Sequence, residues 1–183
     1  AGDSILAAKL LARPNSRNIL ILGAGTVAYT LRQAYGNFFP DAHFSVWNRT
    51  SGRAEKFAAN FPNTMAVNAL EKAISNADII SAATMSSEPL INGKWLKPGQ
   101  HIDLIGAYRP DMREADDITL KRSKIFVDSF ETTIDHIGEL KIPIASAAIE
   151  REDVLSDFYN IGAFHRSSDD EITLFKNGGG AHL

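Results

Sequence analysis

The chain has 183 residues, 44% of them hydrophobic and 22% charged, which is the composition of one ordinary globular domain with a full core. A formal net charge of −3 offers no basic surface to nucleic acid or an anionic membrane, and no apolar run reaches the roughly 18 residues that cross a bilayer. There is no cysteine, which excludes disulfides and thiolate metal sites and fits a reducing, cytoplasmic setting.

Residues 4–12 are apolar and helix-prone, with Asp3 or Ser4 placed to cap the helix and Pro14 beyond its end. Residues 18–22 read as a buried strand and 27–36 as a helix. A strand is expected at 43–47, a helix at 51–59 ending near Pro62, a short strand at 64–67 and a short helix at 69–74. Residues 77–82, 101–105 and 124–127 are strand-like, 152–161 reads as a helix, and 171–175 as a late strand before Gly178, Gly179 and Gly180. Strands separated by helical segments favour right-handed parallel crossovers, so a doubly wound α/β domain with a mostly parallel sheet is expected.

The first strand leaves through Gly23-Ala24-Gly25-Thr26-Val27-Ala28. The glycines allow a tight turn and let the backbone come close to a ligand, and Ala28 lets the helix pack near the strand. The first N–H groups of the helix, with its dipole, favour an anion such as a pyrophosphate. A glycine turn after a strand also occurs as plain structure. Here the strand before, the helix after and a second strand ending about 20 residues on complete a dinucleotide signature. Gly23, Gly25, Thr26 and Val27 are therefore expected to bind the cofactor.

The second strand runs out at Trp47-Asn48-Arg49-Thr50. NAD sites usually carry an acid here for the ribose hydroxyls. This chain has Asn48, then Arg49, Thr50 and, one helical turn on, Arg53. An acid would repel a ribose 2′-phosphate, whereas an amide, a hydroxyl and guanidinium groups bind it, so NADP(H) is expected over NAD(H). The other reading is a solvated helix start capped by Thr50 or Ser51. The strand at 77–82 opens into Ala83-Thr84-Met85-Ser86, short residues at a strand's carboxyl end, where ligands bind in such sheets. An ordinary Ser/Thr turn is the alternative.

The stretches LARPNSRNILILGAGTVA, ADIISAATMSSEPLINGKWLKPGQHIDLIGAYRPDMREAD and EITLFKNGGGAHL resemble the ornithine cyclodeaminase/μ-crystallin family over essentially the whole chain, and 106–114 is the most specific part. The resemblance implies that residues 1–183 are the family's Rossmann NAD(P)-binding domain. It implies that an N-terminal domain with the substrate-carboxylate ligands and most of a homodimer interface is absent, so that this piece alone does not turn over substrate. It adds Gly106, Gly178 and Gly179 to the cofactor residues, the last two beside the nicotinamide, where plain structure would make them a helix entry. The implied chemistry is hydride transfer between a nicotinamide and a carbon bearing nitrogen next to a carboxylate, in a small imino or amino acid.

At the position where the family's cyclodeaminases carry a substrate-facing aspartate, this chain has Tyr108. A phenol is a poor base at neutral pH but can donate a proton or a hydrogen bond. The catalytic expectation falls on Tyr108, and the activity expected is that of an NAD(P)-dependent reductase of cyclic imino acids of the Δ1-pyrroline-2-carboxylate type. The alternatives are an NAD-dependent ornithine cyclodeaminase giving proline and ammonia, and a non-catalytic NADPH-binding module of the crystallin type. Asp103 reads as edge-exposed, and Arg109, Asp111, Arg113 and Glu114 as a local ion-pair loop. His136, His165 and His182 stand at no metal-ligand spacing with carboxylates, so no metal is expected and they read as surface or capping groups.

Overall fold

The apolar run Asn18–Leu22 forms strand β1, and from Ile19 onward every residue of it is buried, as expected of a strand covered on both faces. The computed structural model describes residues 1–178. Helix α1 (Gly2–Leu11) precedes β1. Helix α2 (Thr26–Phe38) then leads to β2 (His43–Trp47), and α3 (Ser51–Ala58) to β3 (Thr64–Ala66). Helix α4 (Leu70–Asn76) crosses to β4 (Ile79–Ala82), and β5 (His101–Leu104) follows. The remaining elements are α5 (Asp117–Lys121), β6 (Ser123–Val127), α6 (Phe130–Thr133), α7 (Gly138–Ala145), β7 (Val154–Ser156) and β8 (Ile172–Lys176).

The eight strands of the described residues are all parallel, in the order β3-β2-β1-β4-β5-β8-β6-β7. Alternating residues of the strands build two cores. Ile19, Ile21, Phe44 and Val46 pack under α1, α2 and α3, whereas Leu20, Leu22, Ile80 and Leu104 pack under α4 on the opposite face. The chain changes face between β3 and β4, so strand order reverses between β1 and β4 and a crevice opens beyond their carboxyl ends.

The strands expected in the first half agree with the structure to within two residues. The helix expected at 152–161 does not form. Those residues make a 3-10 turn at Arg151–Asp153, the edge strand β7, and a second 3-10 stretch at Phe158–Ala163 that kinks at Asn160. Val154 and Ser156 are buried with Leu155 exposed between them, a two-residue alternation that a helical period cannot satisfy. The capping expected at α1 is also absent: the helix starts at Gly2, which puts Asp3 and Ser4 inside its first turn with no side-chain cap. Helix α1 buries Ile5 and Ala8 towards α2, and Ala7 and Leu11 against Phe126 and Phe175, leaving Leu6 and Leu10 exposed one turn apart. Among the described residues no helix is long and apolar enough to cross a membrane.

Candidate functional site

At the crevice, the two glycines of the first turn do different work. Gly23 has φ +105° and donates its N–H to the Trp47 carbonyl at 2.8 Å, and a Cβ there would lie 2.6 Å from the Ala83 carbonyl oxygen. Only glycine suits that place. Gly25 has φ −96° and ψ −174°, ordinary extended backbone, and a Cβ on it would meet nothing within 4 Å. Its smallness keeps space open rather than permitting a conformation. Helix α2 begins at the next residue with no side-chain cap, so its first N–H groups are left for whatever enters the crevice. Thr26 and Val27 are exposed there.

The crevice is a cleft of about 330 Å³. Gly23, Gly25, Asn48, Arg49, Thr50 and Arg53 line one wall, and Ala83, Thr84, Met85 and Ser86 the other. Among the described residues no carboxylate lines it. Arg49 and Arg53 are exposed, and neither forms an ion pair among the described residues. The Asn48 amide donates to the Thr50 carbonyl at 3.0 Å. Thr50 occupies the cap position of α3, yet its side chain makes no capping bond. Two larger hollows lie away from the switch point where ligands bind in such sheets: one of about 370 Å³ between the start of β1, the exit of β3 and α4, and one of about 470 Å³ at the amino-terminal parts of β6 and β8.

Behind the Thr84 wall lies a group of buried charges that the sequence pattern concealed. Glu114 belongs to no ion-pair loop. Its wholly buried carboxylate accepts from Thr84 N and Oγ1 (2.7 Å each) and from Gly106 N (2.8 Å) and Ala107 N (3.2 Å). Of the expected loop, Arg109 pairs with Asp111 at 3.0 Å, while Arg113 reaches Asp117 at 2.8 Å. Glu139, also buried, accepts from the N–H groups of Glu114 (2.7 Å) and Ala115 (3.0 Å). Burial, and then the neighbouring Glu139 carboxylate, push Glu114 up to about 7, against the pull of Lys176 and Thr84. Burial likewise raises Glu139. Lys176, at the end of β8, is fully buried and donates to the carbonyls of Leu104 (3.0 Å) and Asn177. Burial lowers it, while Glu114, Glu139, Asp128 and Asp103 draw it back up.

Asp103 is not edge-exposed: it is wholly buried and accepts from Ser81 Oγ at 2.6 Å and Tyr35 OH at 3.4 Å. The sheet places it there, because Ser81 of β4 is its register partner and α2 covers that face. Burial raises it. A charged residue inside an apolar run, as in Ile137-Gly-Glu139-Leu or Leu174-Phe-Lys176, is the sequence signal that could have marked Glu139 and Lys176.

The remaining expected site residues are placed as follows. Gly106 packs against Thr84 rather than lining the cleft; its Cβ would lie 1.9 Å from the Thr84 carbonyl oxygen. Tyr108 is 55% exposed on the loop after β5, beyond the cleft lining. Gly178 is buried, its N–H held by Asp128 Oδ2 at 2.7 Å, and is not among the lining residues. Gly179 and His182 lie outside the described residues. His136 and His165 are exposed, and no group of three metal-ligating side chains occurs among the described residues.

An all-parallel, doubly wound sheet with a glycine turn at its switch point defines a Rossmann-type nucleotide-binding domain. The chain belongs to the ornithine cyclodeaminase/mu-crystallin family, whose sequence profile matches residues 1–181. It is 52% identical over 191 residues to a Delta(1)-pyrroline-2-carboxylate reductase of Paracoccus denitrificans, covering all of this chain and 60% of that protein. Its fold matches the Thermococcus litoralis Delta(1)-pyrroline-2-carboxylate reductase, solved with NADH and L-proline, with a TM-score of 0.89 and 30% identity over 96% of this chain and 57% of that one. An archaeal alanine dehydrogenase dimer with bound NAD matches with a TM-score of 0.89 and 32% identity, over 97% of this chain and 57% of that one. The chain thus spans less than two thirds of the length of these relatives.

Proposed function

We propose that this chain is the dinucleotide-binding part of an NADP(H)-dependent reductase of cyclic imino acids of the Δ1-pyrroline-2-carboxylate kind. The observation that carries the cofactor preference is a cleft with Arg49 and Arg53 on one wall, where among the described residues neither has an ion-pair partner and no carboxylate joins the lining. The residues fit the group. The space over Gly25 and the uncapped start of α2 at Thr26 and Val27 suit a pyrophosphate. Asn48, Arg49, Thr50 and Arg53 suit a ribose 2′-phosphate. Ala83, Thr84, Met85 and Ser86 would carry the nicotinamide end, with Gly106 and Gly178 behind it. The relatives of known structure hold NADH or NAD, so the preference for the phosphorylated cofactor rests on this chain's own residues.

When bound, the cofactor supplies a hydride to an imine carbon. The chain's part is to hold it, to keep an acid away from its 2′-phosphate, and to present the Tyr108 hydroxyl as a donor on the substrate side. No protein base is required if the imine enters already protonated. The substrate is a small imino acid, the longer protein pairs as a homodimer like the archaeal relative, and the cysteine-free composition suits the cytoplasm. Calorimetric titration of the chain with NADPH and with NADH tests the cofactor reading: tighter binding of NADPH supports it and tighter binding of NADH overturns it. Consumption of NADPH with Δ1-pyrroline-2-carboxylate by the longer protein supports the reductase; ammonia release from ornithine in its place would make it a cyclodeaminase.

A further inference from the structure

We infer that Glu114 is a positioning residue for the cleft: its buried carboxylate fastens the loop after β4 to the loop after β5, and Glu139 fixes Glu114 in turn. This rests on the dinucleotide reading above. The two loops leave separate strands, and the β4–β5 ladder ends at the pair Ala82 and Leu104. Beyond it, the N–H groups of Ile105 and Gly106 reach back to the Ala82 carbonyl at 2.9 and 3.2 Å, and further along the loops Arg113 N–H donates to the Ser86 carbonyl at 2.9 Å. Glu114 supplies the next tie. One oxygen holds Thr84 by its N–H and its hydroxyl, and the other holds the N–H groups of Gly106 and Ala107. Gly106 lets the loops come close enough for a single side chain to reach both.

The backbone of Glu114 is itself held on both sides. Its N–H is held by Glu139, and its carbonyl accepts from Leu90 and Ile91 at 2.9 Å each. Lys176 lends both buried carboxylates an opposing charge. Glu114 does not line the cleft, but Thr84 does. Arg49 and Arg53 stand on the other wall. The cleft is therefore made of two walls set by different means, and Glu114 governs the one opposite the arginines. A carboxylate suits this task because four donors converge on its two oxygens. Glutamine keeps one oxygen and aims an NH2 group at donors.

The experiment separates the walls with two ligands. NADPH and adenosine 2′,5′-bisphosphate, which carries only the adenosine end, are titrated into the unaltered chain, Glu114→Gln and Glu139→Gln, with melting curves to verify folding. The bisphosphate is expected to bind all three alike. NADPH is expected to bind Glu114→Gln roughly tenfold more weakly, the scale of one lost charge-assisted hydrogen bond, and Glu139→Gln more weakly by a smaller factor. A general loosening of the fold would move both ligands together, so equal losses overturn the inference, as does unchanged NADPH affinity in a folded Glu114→Gln. If Glu114→Gln does not fold, Glu139→Gln reads the same split with the Glu114 strap still present; failure of both to fold makes the carboxylates purely structural and overturns the inference too. If the unaltered chain binds neither ligand, the dinucleotide reading falls and takes the inference with it.

Discussion

On the function proposed above, Arg49 sits where charge rather than shape chooses between two nearly identical cofactors. A charge-assisted contact contributes roughly 1.5–3 kcal/mol, which is about 10- to 150-fold in affinity. Arg49→Ala should weaken NADPH by a factor in that range and leave NADH nearly unchanged, and calorimetry with both cofactors checks it. Gly25 makes a different prediction. Its backbone is extended and its surroundings are empty, so Gly25→Val should leave the melting temperature almost unaltered while abolishing dinucleotide binding. A variant that melts normally and still binds NADPH would show that the space over Gly25 is not where the pyrophosphate lies.

Gly106 belongs to the scale of elements, because what it permits is the contact of two strand exits. A methyl group there would run into the backbone N and O of Thr84 at 2.2 and 1.9 Å, and backbone cannot give way as a side-chain tip can. Gly106→Ala should cost about 3–5 kcal/mol of stability, measurable by denaturant unfolding, because the β4 and β5 loops must part. The same kind of long-range closeness explains what was legible in the sequence. Strands β1, β2, β4 and β5 announce themselves by continuous or alternating apolar runs, and the glycine turn and Asn48-Arg49-Thr50 lie at fixed offsets from them. The wall opposite was only half legible: Ala83 to Ser86 follow a strand, but what holds them comes from Glu114 and Glu139, 30 and more residues away. Glu114 in Asp-Met-Arg-Glu looks like one more surface charge until the fold buries it. Between 106 and 163 the strand at 124–127 was legible as β6, but the rest misled for a local reason as well. Their helices are short, α7 contains Pro143, and β7 is a three-residue edge strand between two 3-10 turns. Such pieces owe their form to tertiary packing more than to their own period.

Over the whole molecule, Asp103, Glu114 and Glu139 are buried carboxylates that the fold raises above their ordinary range. A folded chain that holds protons more tightly than the unfolded chain loses stability as pH rises. For Glu114 the contribution is complete below its ordinary 4.5 and disappears as pH rises through about 7, and it is worth up to about 3 kcal/mol. Below about 6.5 the buried His101, lowered to about 3 by desolvation, works in the opposite direction, so the test is a difference: between pH 5 and 7.5 the melting temperature of the unaltered chain should fall relative to that of Glu114→Gln, and parallel profiles would contradict the raised Glu114. The sheet order has its own consequence, in time rather than in energy. Strand β8 is the last strand of the described residues, yet its seat is between β5 and β6. On the ribosome β6 emerges about 50 residues ahead of it, and at about 5–20 residues per second that interval is roughly 2–10 s. Throughout it, β5 and β6 each present an open edge of unpaired backbone groups to the crowded surroundings of a nascent chain. The sheet can close only from its carboxyl end, so a pause in synthesis between residues 130 and 170 exposes the chain to misassembly for as long as the pause lasts.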